Sequence, residues 1–305
     1  MTQLPVSEPV SGPTEALVED PADQPIDRFG FWVHFKALVR SSLMFKIGLL
    51  IVFVSFLLAV FGEQLARYPL EDSTGARNLA PSAAHWFGTD ASGFDIFSRC
   101  LAAPRIDVSI ALFASSLSLV VGTSVGLLVS FFRGWLGELV MRLSDAIQAF
   151  PLFVLAVIYV TMAGRNRFNI VVIIAVLNIP IYLRLVRSQV LSLRERTFVE
   201  AARANGDTPL SIAVRHVLPN ALAPALAQAT VTMGWAILIT AGLSFIGAGI
   251  QPPTPEWGAM IAAGSNGIII GQWWPSIFPG VMISLTVFGF ALVGDGLQRI
   301  LLRRR

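Results

Sequence analysis

Hydrophobic positions in this chain run in long unbroken blocks, not in alternation. Six blocks reach or approach the roughly 20 apolar residues that cross about 30 Å of hydrocarbon. They predict spans over about 43–61, 108–132, 138–164, 168–186, 221–250 and 276–297. Continuous blocks predict helices, since a barrel would alternate lipid-facing and lumen-facing residues. The second and fifth blocks carry no charge, and the first holds Lys46 near its start, where a long side chain reaches the interface. The third contains Asp145 and Pro151, the fourth Asn178 and Pro180, and the sixth Asp295. Prolines inside spans predict kinks, because the ring removes a donor and crowds the carbonyl one turn back. The expected fold class is an all-α polytopic membrane protein with six transmembrane helices.

A polar island, EAARANGDTPLSIAVRHVLP over 200–219, separates the fourth and fifth blocks. Residues 195–204 are helix-permissive, and Asn205-Gly206 is a fitting stop, since glycine tolerates the left-handed conformation beyond a helix end. Asp207 or Thr208 then caps a second helix with Pro209 at its first position. That helix runs to about Val217, and Pro219 marks the entry to the fifth span. Ala201, Ala202, Arg203 and Ala204 give a low-profile surface around the turn, with Glu200 and Arg203 to orient a partner by charge. A helix resting on lipid headgroups is the plain alternative.

Composition agrees with the pattern. The chain is 54% hydrophobic and only 13% charged, with a mean hydropathy of +0.69, too apolar for a soluble domain. Residues 1–30 form an acidic, proline-rich stretch that predicts a disordered tail. An N-terminal transmembrane helix within 31–62, an outer loop at 63–107, a core at 108–300 with a loop at 195–219, and a basic tail at 301–305 complete the expected organisation. With the N-terminus inside, sixteen of the 22 Lys and Arg residues fall in inside segments. That bias predicts both termini and the 200–219 hairpin in the cytoplasm, with the loops near 62–107 and 251–275 outside.

Candidate chemistry is sparse. The single Cys100 excludes an internal disulfide, and His34, His85 and His216 stand far apart, so no metal site is expected. Neither Lys36 nor Lys46 follows a glycine, which excludes a P-loop. No nucleophile–base constellation appears, so no catalytic residue is expected, and no nucleic-acid partner. Asp145 and Asp295 invite a functional reading as intramembrane acids, but Arg142 three residues before one and Arg299 four after the other are helix-compatible partners. Gln148, Asn178 and Gln228 are placed either to line a polar path or to hydrogen-bond between helices. Gly122 and Gly126 form a GxxxG pair, and Ala221, Ala225 and Ala229 repeat every four residues, a spacing that lets helix backbones approach closely in lipid.

Glu200, Ala201, Ala202, Gly206, Leu218 and Pro219, in that spacing, resemble the cytoplasmic coupling loop of bacterial ABC-importer permeases. That wider family often has isoleucine where this chain has His216, while RHVLPN over 215–220 is similar to the dipeptide, oligopeptide and nickel branch. HWFGTDASGFDIFSR (85–99), with Phe94 where the branch commonly has Arg, MRLSDAIQAFP (141–151), GLSFIGAGIQPPTPEWGAMI (242–261) and Gly294-Asp295-Gly296-Leu297 fall in the same order as in that branch. The resemblance covers about residues 40–299. It implies a type I ABC-importer permease fold in the bacterial inner membrane. It also implies a second homologous permease, two cytoplasmic ATPases that hold the ATP and Mg, and a periplasmic solute-binding protein. Ala201, Ala202, Arg203, Asp207 and their neighbours would then carry the ATPase contact. Di- or oligopeptides are the first expectation for cargo and nickel chelates the second. A stand-alone channel or ion-coupled transporter is the rival from another class.

Overall fold

The computed structural model describes residue 39 and residues 42–131 and 134–302. The expected acidic tail at 1–30 and the basic residues Arg303, Arg304 and Arg305 lie outside the described residues. Helix α1 (Leu43–Leu65) is capped by Ser42, whose hydroxyl accepts from the Phe45 N–H. Short α2 (Ile96–Ala102) is capped by Asp95 and runs almost directly into α3 (Pro104–Phe131). Helices α4 (Trp135–Ala149), α5 (Leu152–Ala163) and α6 (Arg167–Leu193) follow. The hairpin consists of α7 (Thr197–Ala204), the short α8 (Pro209–Ser211) and a π-helical turn at Ile212–Val217. It continues without a break into α9 (Leu218–Phe245). Helices α10 (Trp257–Ser265) and α11 (Trp274–Leu302) end the chain's described part.

Five of these helical runs are long and apolar enough to cross a membrane, and the α4–α5 pair passes the same test only when its two bent halves are taken together. That pair corrects the expected continuous span over 138–164, since its halves meet at 90°. The cause is Pro151. It offers no N–H to the Ile147 carbonyl, and its ring drives the preceding Phe150 into an extended conformation (φ −91°, ψ 148°). Pro180 behaves differently and stays inside an unbroken α6. The second span also starts earlier than expected, with α2 and α3 together covering Ile96–Ser130.

The core forms where α3, α6, α9 and α11 pack on one another, with Ile110, Ile174, Ile237 and Phe290 essentially inaccessible. Lipid supplies no hydrophobic drive for such packing, so close approach and hydrogen bonds must hold it. At the α3–α6 contact, a Cβ added to Gly122 would lie 2.6 Å from the Tyr182 Cβ and 2.9 Å from the Ile179 carbonyl oxygen. One added to Gly126 would lie 2.9 Å from the Leu183 carbonyl oxygen. Backbone therefore touches backbone at both glycines. Ala221 and Ala225 are fully buried at the foot of α9, and Ala229 accepts a hydrogen bond from Ser115 of α3 at 3.2 Å. Helix α1 lies on the flank against α11, where the Ser55 and Thr286 hydroxyls meet at 3.3 Å.

Gly122→Leu is expected to force α3 and α6 apart and lower stability by about 1–3 kcal/mol, the range for overpacking a tight contact. Thermal unfolding in detergent checks this, and an unchanged midpoint would refute the tight contact.

Candidate functional site

The hairpin is built from local rules that the sequence states openly. Helix α7 ends in a reciprocal turn: the Gly206 N–H donates to the Arg203 carbonyl at 3.0 Å and the Asp207 N–H to the Ala202 carbonyl at 3.1 Å. That pairing needs a left-handed residue between them, and Gly206 supplies it at φ +85° with open space around its α-carbon. Thr208 caps the next helix by accepting from the Ser211 N–H at 3.3 Å, and Pro209 occupies its first turn. Asp207 then clasps the far side. Ser211 donates to its Oδ1 at 3.3 Å, and the His216 Nε2 lies 3.4 Å from its Oδ2.

One expectation for the second hairpin helix changes. It is π-helical over Ile212–Val217, with the Leu218 N–H reaching the Ala213 carbonyl. Pro219 explains the wide turn. It cannot donate to the Arg215 carbonyl, and a π turn removes the clash that its ring would make in a regular helix. Val199, Ala202, Ile212, Ala213 and Val217 join Val190 of α6 in one buried cluster. Ala202 therefore faces inward and is not part of the outer surface. Glu200, Ala201, Arg203, Ala204 and Gly206 are exposed, as is Pro219 at the base, and Asp207 is half-buried.

The expected intramembrane polar positions form no shared network among the described residues. Asp145 does not pair with Arg142. It accepts from Arg184 of α6 at 2.8 Å, while Arg142 donates to Glu138 one turn back at 2.8 Å. The choice follows from the rotation of α4 against α6, which sequence spacing does not reveal. Asp295 pairs with Arg299 at 2.8 Å as expected. The amide of Asn178 donates to the Ile174 carbonyl of its own helix at 2.9 Å, and Gln148 and Gln228 are half-buried.

Two polar clusters were not anticipated. Ser115 of α3, Tyr182 of α6 and Thr232 of α9 join their hydroxyls at the heart of the bundle, with Ser115 2.8 Å from Thr232 and 3.2 Å from Tyr182. Lone hydroxyls in apolar blocks were the available signal. At the far end of the bundle, Glu256 caps α10 by accepting from the Gly258 and Ala259 N–H groups at 2.9 and 2.7 Å. Asp107 accepts from the Trp257 N–H at 3.2 Å, and the Trp257 indole donates to the Cys100 carbonyl at 3.2 Å. Asp107 and Glu256 are both fully buried at this point, and the Asp107 Oδ1 is left without a hydrogen-bond partner among the described residues. Nearby, Phe94 carries the Arg99 guanidinium 4.4 Å above its ring, so a cation–π contact occupies the position where an arginine was the expected residue.

Comparison with known proteins fits this architecture. The family model described as "Binding-protein-dependent transport system inner membrane component" matches residues 118–305. The chain is 41% identical over 265 residues to the dipeptide transport system permease protein DppC of Alkalihalophilus pseudofirmus, covering 87% of this chain and 86% of that protein. It is 38% identical over 269 residues to the glutathione transport system permease protein GsiD of Escherichia coli O6:K15:H31, covering 88% of each. Among solved structures, the inward-facing MetNI methionine ABC transporter in its CY5 native crystal form matches with a TM-score of 0.52 at 21% identity. That match covers 66% of this chain and 94% of the other. The fold is that of a type I ABC-importer permease. The chain belongs to the family of binding-protein-dependent transport system inner membrane components.

Two outcomes test the geometry. Gly206→Asn, which tolerates a left-handed backbone, is expected to keep the hairpin, whereas Gly206→Val costs about 1–2 kcal/mol locally and should speed amide hydrogen exchange across 200–210. Equal exchange in both variants would show that the turn does not depend on φ. At the opposite end, Asp107→Ala orphans the Trp257 N–H and should lower stability by about 1–3 kcal/mol. Asp107→Asn keeps the acceptor and places a donor beside Glu256, so its unfolding midpoint should match or exceed the wild type.

Proposed function

We infer that this chain is a permease subunit of an ATP-driven, binding-protein-dependent importer carrying di- or oligopeptides across the bacterial inner membrane. The observation that carries this reading is the likeness, over 87–88% of the chain, to permeases named for dipeptide and glutathione transport. Glutathione is itself a tripeptide, so both relatives' names point to short peptides. The full assembly adds a second homologous permease, two ATPase subunits that hold ATP and Mg, and an external solute-binding protein.

In this reading the hairpin faces the cytoplasm, together with both termini, as the excess of Lys and Arg on that side supports. An ATPase groove closes over the exposed face of α7, where Ala201, Ala204 and Gly206 are small and Glu200 and Arg203 set the charge register. Behind that face, Val199 and Ala202 rest on the π turn and on α6. A push on α7 is thus delivered to the ends of α6 and α9 at once. Rigid-body rocking of those helices alternates access between the two sides. The chain performs no covalent chemistry; it converts displacement into a change of access.

Reconstitution in proteoliposomes with labelled dipeptide, with and without the ATPase subunits and ATP, tests the assignment. Uptake should require both. Uptake by this chain alone, indifferent to ATP, would overturn it in favour of a channel. Glu200→Arg should reduce ATP-driven uptake roughly tenfold, the effect of losing about 1.4 kcal/mol of docking free energy, with membrane insertion intact. Normal coupling in that variant would return α7 to a surface helix resting on lipid.

A further inference from the structure

A cleft of about 600 Å³ opens at the hairpin end of the bundle, between the end of α3, the length of α4 and the last turns of α6. Its charges do not balance. Arg142 is occupied by Glu138, and Asp145 by Arg184. Arg187 near the end of α6 and Arg194 at its C-cap also line the cleft, about two helical turns apart, and neither makes an ion pair or side-chain hydrogen bond among the described residues. Both are half-buried. A half-buried guanidinium without a partner keeps its donors available to whatever enters, and its planar fork matches the oxygens of a phosphate or a carboxylate.

The wall formed by α4 decides between them. Trp135, Leu136, Leu139 and Leu143 make an exposed apolar stripe along this helix, beside the stripe of Glu138, Arg142 and Asp145 that lines the cleft. Helix α4 is turned 90° from α5, so when α5 crosses the bilayer α4 lies along its surface. An amphipathic helix in that attitude sinks its apolar stripe among acyl chains, and a tryptophan at its start belongs at the headgroup level. The basic cleft then opens at the depth of lipid phosphates, with apolar surface beside it for the attached chains.

We propose that the α3–α4–α6 cleft is a binding site for an anionic phospholipid, whose headgroup phosphate is held by Arg187 and Arg194 and whose acyl chains lie along the Leu136–Leu139–Leu143 stripe. The lipid pins α4 against α6 and so steadies the end of the helix that leads into the hairpin. The proposal rests on the importer reading only for the side of the membrane on which the cleft opens.

The test uses the full chain in nanodiscs, alone and co-expressed with its transport partners, in mixtures of phosphatidylglycerol and phosphatidylcholine. Retained lipid is counted by native mass spectrometry. Wild type should hold phosphatidylglycerol in preference to phosphatidylcholine. Arg187→Gln with Arg194→Gln should lower that preference on the order of tenfold, the loss that charge-assisted contacts of this kind imply. Each single variant should fall between, and Arg187→Lys with Arg194→Lys should restore part of it. An undiminished preference in a monodisperse double variant overturns the proposal. So does displacement of the lipid by inorganic phosphate at millimolar concentration, which would assign the cleft to a soluble anion. Release of the ATPase subunits by the double variant, with lipid retention intact, would assign it to a protein partner instead. Lipid retention by the chain alone is read without cargo or ATP, so failure of peptide uptake leaves this test standing.

Discussion

The contact between α3 and α6 at Gly122 and Gly126 is the constraint on which the other arrangements rest. A membrane interior gives helices no reason to associate through apolar area alone, and these two helices meet because backbone can reach backbone. Within two turns of that contact, the hydroxyls of Ser115, Tyr182 and Thr232 tie α9 to both. Each of these three hydroxyls satisfies another, so all three are buried without going unpaired. Two of the three helices joined there, α6 and α9, are the ones that flank the hairpin. Their spacing at the hairpin is therefore set deep in the bundle and not by the hairpin itself.

The two ends of the molecule are finished in different ways. At the hairpin, exposed small residues cover a compact apolar cluster, and the π turn before Pro219 supplies a joint of looser hydrogen bonding. At the far end, buried side chains bind loop to helix: Asp107 to the Trp257 backbone, Trp257 to Cys100, and Trp274 to the Thr89 carbonyl at 3.1 Å. One end offers a surface, and the other is locked.

Much of this was legible in the sequence because it depends on neighbours along the chain. The apolar blocks announced the spans, Gly206 with Thr208 and Pro209 announced the turn, and Gly122 with Gly126 announced a close helix contact. The remainder depends on how helices are rotated against each other. Pro151 and Pro180 look alike in sequence, yet one breaks a helix at 90° and the other is carried inside one. Asp145 had a plausible partner three residues away and found Arg184 on another helix instead. Ala202 belonged to a run of small residues that looked uniformly outward, and the packing of α7 on the π turn put it inside. The Asp107–Glu256 cluster joins residues about 150 positions apart, beyond the reach of any local pattern.

The break at Pro151 has an electrical consequence. Helix α5 has 12 residues and rises about 18 Å, against the roughly 30 Å that a bilayer core presents elsewhere. With α5 upright, the charged face of α4 sits at the level where α5 begins, so water and ions reach the protein down to that level. Were α5 the whole of the span on that flank, the insulating layer beside it would be thinner by about two fifths, and the membrane voltage would fall across that shorter distance. A zwitterionic solute crossing along this flank would meet a lower self-energy barrier and a steeper field than anywhere else on the subunit.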